Sequence, residues 1–405
     1  MQKLSSSLRQ RSAEETIELI IADMAPRMGV TRVTDTTWLD RIGIPVFASI
    51  RPDASKGSLC VNAGKGLRPA EARIGAYMES IEFSLAEYNK ANFNLIRTTP
   101  KAIHNSHEGR LEFNQFCMLY GHVADCESAI MAVEVEDILQ GKNVLVPAEL
   151  VFISYLQNPG QRLFGENSSG LASGNDLTEA SIHAICELME RDVQALNHLV
   201  DRSSLVDMDH CSAEVEELIT KITDAGLLLV VRHTENCFNL PYFQAFIMET
   251  STEAPISIAS GSGFHPVKEI ALIRAITEAA QSRLSHIHGG RDDIIDRVKY
   301  FAREGRSAEV DATARLRALV MEDASAVTYT SIICQGGDIH TIEDAWKLLI
   351  QRLRENSFTT VLRATFTKPS DAVSVVRIII PGLESFEPAL KRVGPRLIEY
   401  VKENA

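Results

Sequence analysis

No Cys-x-x-Cys pair occurs in this chain, although it holds seven cysteines in 405 residues. Scattered singly, they give no zinc signature and fit reduced thiols, most of them packed in a core. No uninterrupted apolar stretch approaches the length that spans a bilayer. The polar start, Met1 to Arg11, lacks the apolar centre of a signal peptide. These absences predict a cytoplasmic protein with no membrane role. Positive charge is in deficit: 41 Lys and Arg against 54 Asp and Glu leave a net charge of −13. A nonspecific nucleic-acid grip needs the opposite balance, because it works by releasing counterions from a basic surface. The Walker A pattern is missing, and no Gly-x-Gly-x-x-Gly follows a strand, so neither a P-loop nor a Rossmann dinucleotide site is expected. There is no Gly-x-Ser-x-Gly elbow. His104-x-x-His107 and His286-x-His288 are too sparse for a metal triad, and core or surface roles suit them better. No side chain is assigned as a catalytic nucleophile, acid or base, and no covalent intermediate is expected.

What is present is a pattern repeated three times: Ala-x-Ile-x-Ala-x-x-Glu-x-x-Glu or Gln. It runs through Ala72, Ile74, Ala76, Glu79 and Glu82, then Ala180, Ile182, Ala184, Glu187 and Glu190, then Ala271, Ile273, Ala275, Glu278 and Gln281. Each copy follows a short apolar run and a glycine-rich stretch, read as a turn: Asn62–Gly66, Ser168–Gly174 and Ser260–Gly263. At about 100° per residue, the glutamates fall on a flank beside the apolar face of each helix. One such helix alone reads as an amphipathic element with a solvated acidic flank. Three copies in register read differently, since solvated glutamates have no reason to keep step with the core. Clustered carboxylates repel one another unless cations neutralise them. Oxygen ligands in this number suit Mg²⁺ shared with substrate phosphates. Backbone N–H groups in glycine-rich loops and at helix N-termini suit phosphate oxygens. Arg191 and Arg283, just past the acidic positions, are candidates to clamp phosphate charge, with surface or ion-pair roles as the alternative.

Around these copies, strands and helices interleave, which favours an α/β or α+β class. A capping box, Ser12-x-x-Glu15, opens a first helix. A strand is predicted over Pro45–Ile50, and acidic helices over Pro69–Tyr88, Thr178–Val200 and Pro266–Ile287. Between the last two come a helix near 212–225 and strands Leu227–Arg232, Tyr242–Ile247 and Pro255–Ala259. Strands Val327–Ile333, Thr359–Phe366 and Val373–Ile380 are expected with helices Ile342–Asn356 and Ala389–Lys402. Residues 92–145 give no clear signal. No low-complexity linker divides the chain, so one catalytic unit over 1–405, with a core at 60–390, is expected.

The motifs resemble those of the YcaO family. Ser169-Gly170-Leu171-Ala172-Ser173-Gly174-Asn175, Thr178-Glu179-Ala180 and Glu187-Leu188-Met189-Glu190-Arg191-Asp192 look like its signature. Gly64-Lys65-Gly66 with Tyr77-Met78-Glu79-Ser80-Ile81-Glu82 is similar to its first ATP motif, and Gly261-Ser262-Gly263 with Arg274–Arg283 to its third. Thr31-Arg32-Val33, Leu39–Pro45, Gly290-Arg291-Asp292 and Ile380-Pro381-Gly382-Leu383-Glu384 fit as well, so the likeness covers nearly the whole chain.

The resemblance implies a composite fold in which strand, glycine loop and acidic helix units form an ATP site without a P-loop. It implies Glu79, Glu187, Glu190 and Glu278 as Mg²⁺ ligands with Gln281 as a supporting oxygen. Glu82, Asn175, Glu179 and Arg191 would contact the nucleotide or its ions. Gly75-Ala76 stands where the family has Ser-Ala, and Phe83 where it has Arg, so phosphate grip near the first helix passes to Lys65 or Arg32. Family chemistry activates a peptide backbone amide: a nucleophile adds, ATP phosphorylates the amide oxygen, and phosphate leaves. The lack of a Pro-x-Pro-x-Pro ending and the Thr31–Pro45 segment lean toward members that make thioamides beside a TfuA-like sulfur-delivery partner. Azoline formation on Cys, Ser or Thr of a precursor peptide is the alternative, and a non-catalytic ATP-binding accessory factor is a third reading. A precursor peptide or protein is the implied substrate, and a homodimer the implied assembly.

Overall fold

A computed structural model describes residues 2–404 except 5, 109, 156–159, 252–253, 255, 291–301, 323–325 and 333–338. The chain divides into two compact units, each assembled from separated stretches: residues 1–54, 59–81 and 202–340 in the first, and 55–58, 82–201 and 341–405 in the second. Neither is a contiguous piece of sequence, and the chain passes from one to the other within the first acidic helix, between Ile81 and Glu82.

The first unit holds a five-stranded sheet in the order Ile258–Phe264, Tyr242–Met248, Leu228–His233, Ser204–Asp207, Ala326–Thr328. Its strands are antiparallel except for the last pair. Helices Ala213–Asp224 and Lys268–His288 supply Val215, Leu218, Ile222, Ile273 and Ile276, which pack with Val231, Phe243 and Ile247 in one core. Burial of side chains of this size stabilises the fold by about 1.5–3 kcal/mol each. A second, three-stranded sheet runs Arg32–Asp35, Val46–Ile50, Val61–Lys65. The capping box forms as the sequence predicts: Glu15 N–H donates to Ser12 Oγ, and Ser12 N–H to the Glu15 carboxylate.

The second unit is built on a six-stranded sheet. Its order is Leu171–Gly174, Ser374–Ile379, Leu362–Thr365, Ile130–Asp137, Ile96–Thr98, with Lys142–Pro147 also paired to Ile130–Asp137. Three of these strands, Ile130–Asp137, Lys142–Pro147 and Leu362–Thr365, supply buried side chains to an apolar core that includes Ile130, Val133, Val146, Phe152, Phe164 and Leu362. The helices of this unit include Leu177–Asn197, Ile342–Glu355 and Pro395–Asn404.

Several boundaries differ from the sequence reading. The glycines of all three copies lie in or at the ends of strands, Val61–Lys65, Leu171–Gly174 and Ile258–Phe264, rather than in loops between strand and helix. The reason is close packing. A Cβ on Gly64 would sit 2.1 Å from Ala72 O and Ala76 N, and one on Gly263 would sit 2.0 Å from Ala271 O. Gly174 stands in the same way against the backbone of Ala180. The repeated alanines are the helix side of this contact, so half of the pattern is a strand–helix packing rule. The last helix starts at Pro395, not Ala389, because Arg392–Val393 pairs as a short strand with Met118–Leu119. The strand expected over Val327–Ile333 is Ala326–Thr328, and Ile333 lies outside the described residues.

Candidate functional site

In the first unit, strand Val61–Lys65 is the edge of its sheet. Its backbone groups that face away from the neighbouring strand are taken up by the acidic helices. Ala63 N–H donates to Glu79 Oε2 at 2.8 Å, and Gln281 Nε2 donates to Ala63 O at 2.7 Å. Two residues on, on the same side of the strand, Lys65 Nζ donates to Glu278. One five-residue strand thus brings its own Lys65 together with Glu79 of the first acidic helix and Glu278 and Gln281 of the third. Behind Glu79, Ser49, Asn62 and Ser80 form a buried hydrogen-bonded group, with Ser49 and Ser80 hydroxyls 2.7 Å apart.

Arg283 does not point to phosphate. Its guanidinium, 4% exposed, donates to Asp40 Oδ2 at 2.8 Å, to Glu249 Oε1 at 2.7 Å and to Ile256 O at 3.0 Å. Arg41 reaches the same Glu249. This is the ion-pair alternative: both carboxylates are already satisfied by the arginine, and the Leu39-Asp40-Arg41 motif ties its segment to the third acidic helix.

In the second unit, Asp176 caps the helix Leu177–Asn197, accepting from Glu179 N–H at 2.8 Å. Asn175 Nδ2 donates to both oxygens of Glu179, each at 3.1 Å. Ser173 Oγ donates to Glu82. Glu187 accepts from Gly170 N–H at 3.2 Å, and Arg191 lies between Glu187 and Glu190 at 3.6 and 3.5 Å. These carboxylates do not form the solvated flank that one such helix alone would suggest, although Glu187 is 25% exposed. Glu179 is 2% and Glu190 6% exposed. Removing an ionised carboxylate from water costs several kcal/mol unless hydrogen bonds and cations repay it, so their burial asks for a counter-charge.

One buried cation was not legible in the sequence. Arg377, in the strand Ser374–Ile379, donates through Nη2 to Asn167 O and Oδ1 at 2.9 and 3.0 Å. Burial lowers its guanidinium pKa to about 10, and Glu187 is the acid that opposes that fall. Its only sequence signal is a charged residue inside an otherwise apolar strand, Val375-Val376-Arg377-Ile378-Ile379. Phe83, where an arginine was expected, is buried as an apolar packing residue.

Other residues quoted in the motifs are structural. Glu384 accepts from Gly394 and Leu397 N–H at 2.8 and 2.9 Å and so holds the start of the last helix. Asp192 accepts from Glu384 N–H at 2.7 Å and from Arg396. Cys117 is fully buried beside Leu383 O, and burial raises its thiol well above the usual range, which leaves it unreactive. His104 and His107 bond the carbonyls of Leu111 and Leu145 and support the fold.

Among the described residues, no three His, Cys, Asp or Glu side chains stand together as a ready-made metal cage. Mg²⁺ keeps waters and takes one or two carboxylates together with substrate phosphates. The donor set, all carboxylate and amide oxygen, is of the hard type this ion prefers. Also among the described residues, no helix is long and apolar enough to cross a membrane.

Residues 63–384 match the family described as YcaO cyclodehydratase, ATP- and Mg²⁺-binding. The chain belongs to the YcaO family. It is 33% identical over 382 residues to an uncharacterized protein of Methanothermobacter thermautotrophicus, a match that covers 93% of this chain and 95% of the relative. It is 32% identical over 385 residues to an uncharacterized protein in the tfuA 3' region of Rhizobium leguminosarum bv. trifolii, covering 88% and 84%. Its fold is similar to that of YcaO from Methanopyrus kandleri bound with AMPPCP and Mg²⁺, with a TM-score of 0.74, 21% identity and 98% of each chain covered. YcaO proteins are ATP-dependent, amide-activating modifiers of peptides, and ATP and Mg²⁺ are the cofactors of this YcaO chain.

Proposed function

We propose that this YcaO protein activates a peptide backbone amide by O-phosphorylation and that the nucleophile is sulfur, giving a thioamide. Sulfide, free or delivered at the sulfide oxidation level, adds to the amide carbon, and the carbonyl oxygen takes the γ-phosphoryl group of ATP. Loss of phosphate from the tetrahedral adduct leaves C=S in place of C=O, with ADP as the other product. The observation that carries the reading is the retention of oxygen ligands in register on all three helices: Glu79, Glu187, Glu190, Glu278 and Gln281. When bound, Mg²⁺ supplies the positive charge that offsets the transferring phosphoryl group. Around it, Lys65 and Arg191 are assigned to phosphate, and Glu82, Asn175 and Glu179 to the nucleotide and its ions. The chain's own part is to orient ATP against the amide and to hold charge in fixed positions. It contributes no covalent nucleophile.

The sulfur assignment is supported by the name of the Rhizobium relative, which places it in the tfuA 3' region. A TfuA-like protein is accordingly proposed as a partner, and a homodimer as the assembly; light scattering that finds only monomer at micromolar concentration contradicts the latter. The word cyclodehydratase in the family description favours a second reading, azoline formation from a Cys, Ser or Thr side chain. The test uses peptides encoded by neighbouring genes, with and without a TfuA-like protein, carrying ¹⁸O in backbone amides. The expected result is ADP and ¹⁸O-phosphate, with a peptide mass gain of one sulfur-for-oxygen exchange. Loss of water instead assigns the azoline reading. AMP with pyrophosphate, or unlabelled phosphate, overturns the mechanism.

A further inference from the structure

The buried arginine of the second unit has no use in the assignment above. Arg377 is 3% exposed, and two of its three nitrogens, Nε and Nη1, are buried and make no hydrogen bond. A buried donor left unsatisfied is costly, and a buried guanidinium more so. The third nitrogen is fixed twice on Asn167. That fork pins the plane of the guanidinium and leaves its other edge to something else.

Geometry says what stands nearby. In the sheet, Arg377 is opposite Leu171, and Ile378 N–H donates to Gly170 O at 2.8 Å. Gly170 N–H donates in turn to Glu187 Oε2 at 3.2 Å. One residue, Gly170, therefore joins the Arg377 strand to the Glu187 carboxylate. Gly170 has φ of +80°, and a Cβ there would lie 2.4 Å from Ile378 O, so the contact admits only glycine. Among acids, Glu187 is the one whose field reaches the guanidinium. Arg191, the other cation near Glu187, is shared with Glu190 and bonds Gln194 as well.

We propose that Arg377 is a positioning residue for Glu187: fixed on Asn167 and backed against Gly170, its buried charge steadies that carboxylate as a ligand of the nucleotide's Mg²⁺. This rests on the assignment of Glu187 to Mg²⁺ in the proposed function. Arg377 itself touches neither metal nor nucleotide. Residues that orient a metal ligand from behind typically change metal affinity about 10–100-fold when lost.

The probe is binding of a non-hydrolysable ATP analogue, titrated with Mg²⁺, to wild type, R377M and N167A, with circular dichroism to confirm folding. In R377M the Mg²⁺ midpoint rises about 10–100-fold, while nucleotide affinity at saturating Mg²⁺ stays within a few-fold of wild type. N167A, which releases the guanidinium without removing it, shifts the midpoint the same way by a smaller factor, about threefold or more. Should R377M fail to fold, N167A decides. Wild-type midpoints in the folded variants overturn the inference. So does an equal loss of nucleotide affinity at every Mg²⁺ concentration, which marks a purely structural arginine. If wild type itself shows no Mg²⁺-dependent binding, the assignment of Glu187 to metal falls and this inference falls with it; normal wild-type binding with unshifted variants sinks the inference alone.

Discussion

The two units hold their acidic positions by different means. In the first, Glu79 and Gln281 lean on the edge of a strand through Ala63, and Glu278 is met by a lysine on the same strand. Those side chains are partly open: Lys65 is 19% and Glu278 30% exposed. In the second, Glu179 and Glu190 are almost wholly buried, one arginine is divided between Glu187 and Glu190, and another lies beneath. A partly exposed lysine pair contributes at most about 1 kcal/mol to stability and can exchange partners at little cost. Buried carboxylates cannot do without their cations. The first unit is thus built to release charge toward a ligand, and the second to hold it in place.

The largest effect should come from the buried side of that comparison. Glu190→Gln keeps the shape but removes the charge, and we expect Mg²⁺-dependent nucleotide affinity to fall by roughly 100-fold or more, above what outer-shell losses produce. Calorimetry with unchanged affinity in a folded variant would falsify the assignment. Next is the packing that both units share. Gly263→Val drives a side chain into Ala271 O, and the expected loss is about 3 kcal/mol, at the upper end for overpacking, read as a lower denaturation midpoint. A wild-type midpoint there means that strand and helix can separate without cost.

A third test uses pH. Burial, helped by the charge of Arg274, lowers His265 from 6.5 to about 3. Its Nδ1 accepts from Val267 N–H at 2.9 Å, near the start of the third acidic helix. The folded state keeps this histidine neutral while the unfolded chain binds a proton below pH 6.5. The sign is therefore a loss of stability as pH falls from 6.5 toward 3, about 2 kcal/mol between pH 7 and pH 5. His265→Asn should flatten that slope; an equally steep loss in the variant assigns acid sensitivity to other groups, among which His233 and His107 are also lowered by burial. The smallest effect belongs to the open side. Lys65→Met should leave the melting midpoint nearly unchanged and weaken nucleotide binding about tenfold, or 1.4 kcal/mol. A loss of stability larger than the loss of binding reverses the contrast between the units.

Much of this was legible in the sequence, for physical reasons that differ by element. Helices with a cap and a 3.6-residue period, such as those opened by Ser12, Ser212 and Thr341, declare their starts because the cap is local chemistry. The strand Ile258–Phe264 did not: Ser260-Gly261-Ser262-Gly263 has no apolar side chain to show a strand pattern, and at both glycines a helix backbone fills the space. Residues 92–145 hid, among others, the strand Ile130–Asp137, whose partners lie both near, at Lys142–Pro147, and far along the chain, at Leu362–Thr365. The glutamates were legible because they repeat. Arg377 was not, because what marks it is burial and an unfilled fork, and neither is written in the letters around it. Glu187 and Glu190 share one flank on a helical projection, yet Glu190 is buried and Glu187 only partly so.

The account turns on whether these oxygens serve Mg²⁺ and ATP. Calorimetric titration of the purified wild-type chain with a non-hydrolysable ATP analogue, run in excess Mg²⁺ and again in EDTA, asks this without a peptide or a partner protein. The account predicts one nucleotide per chain in Mg²⁺ and binding at least about tenfold weaker in EDTA. Equal affinity in both, or no binding in either, would contradict it.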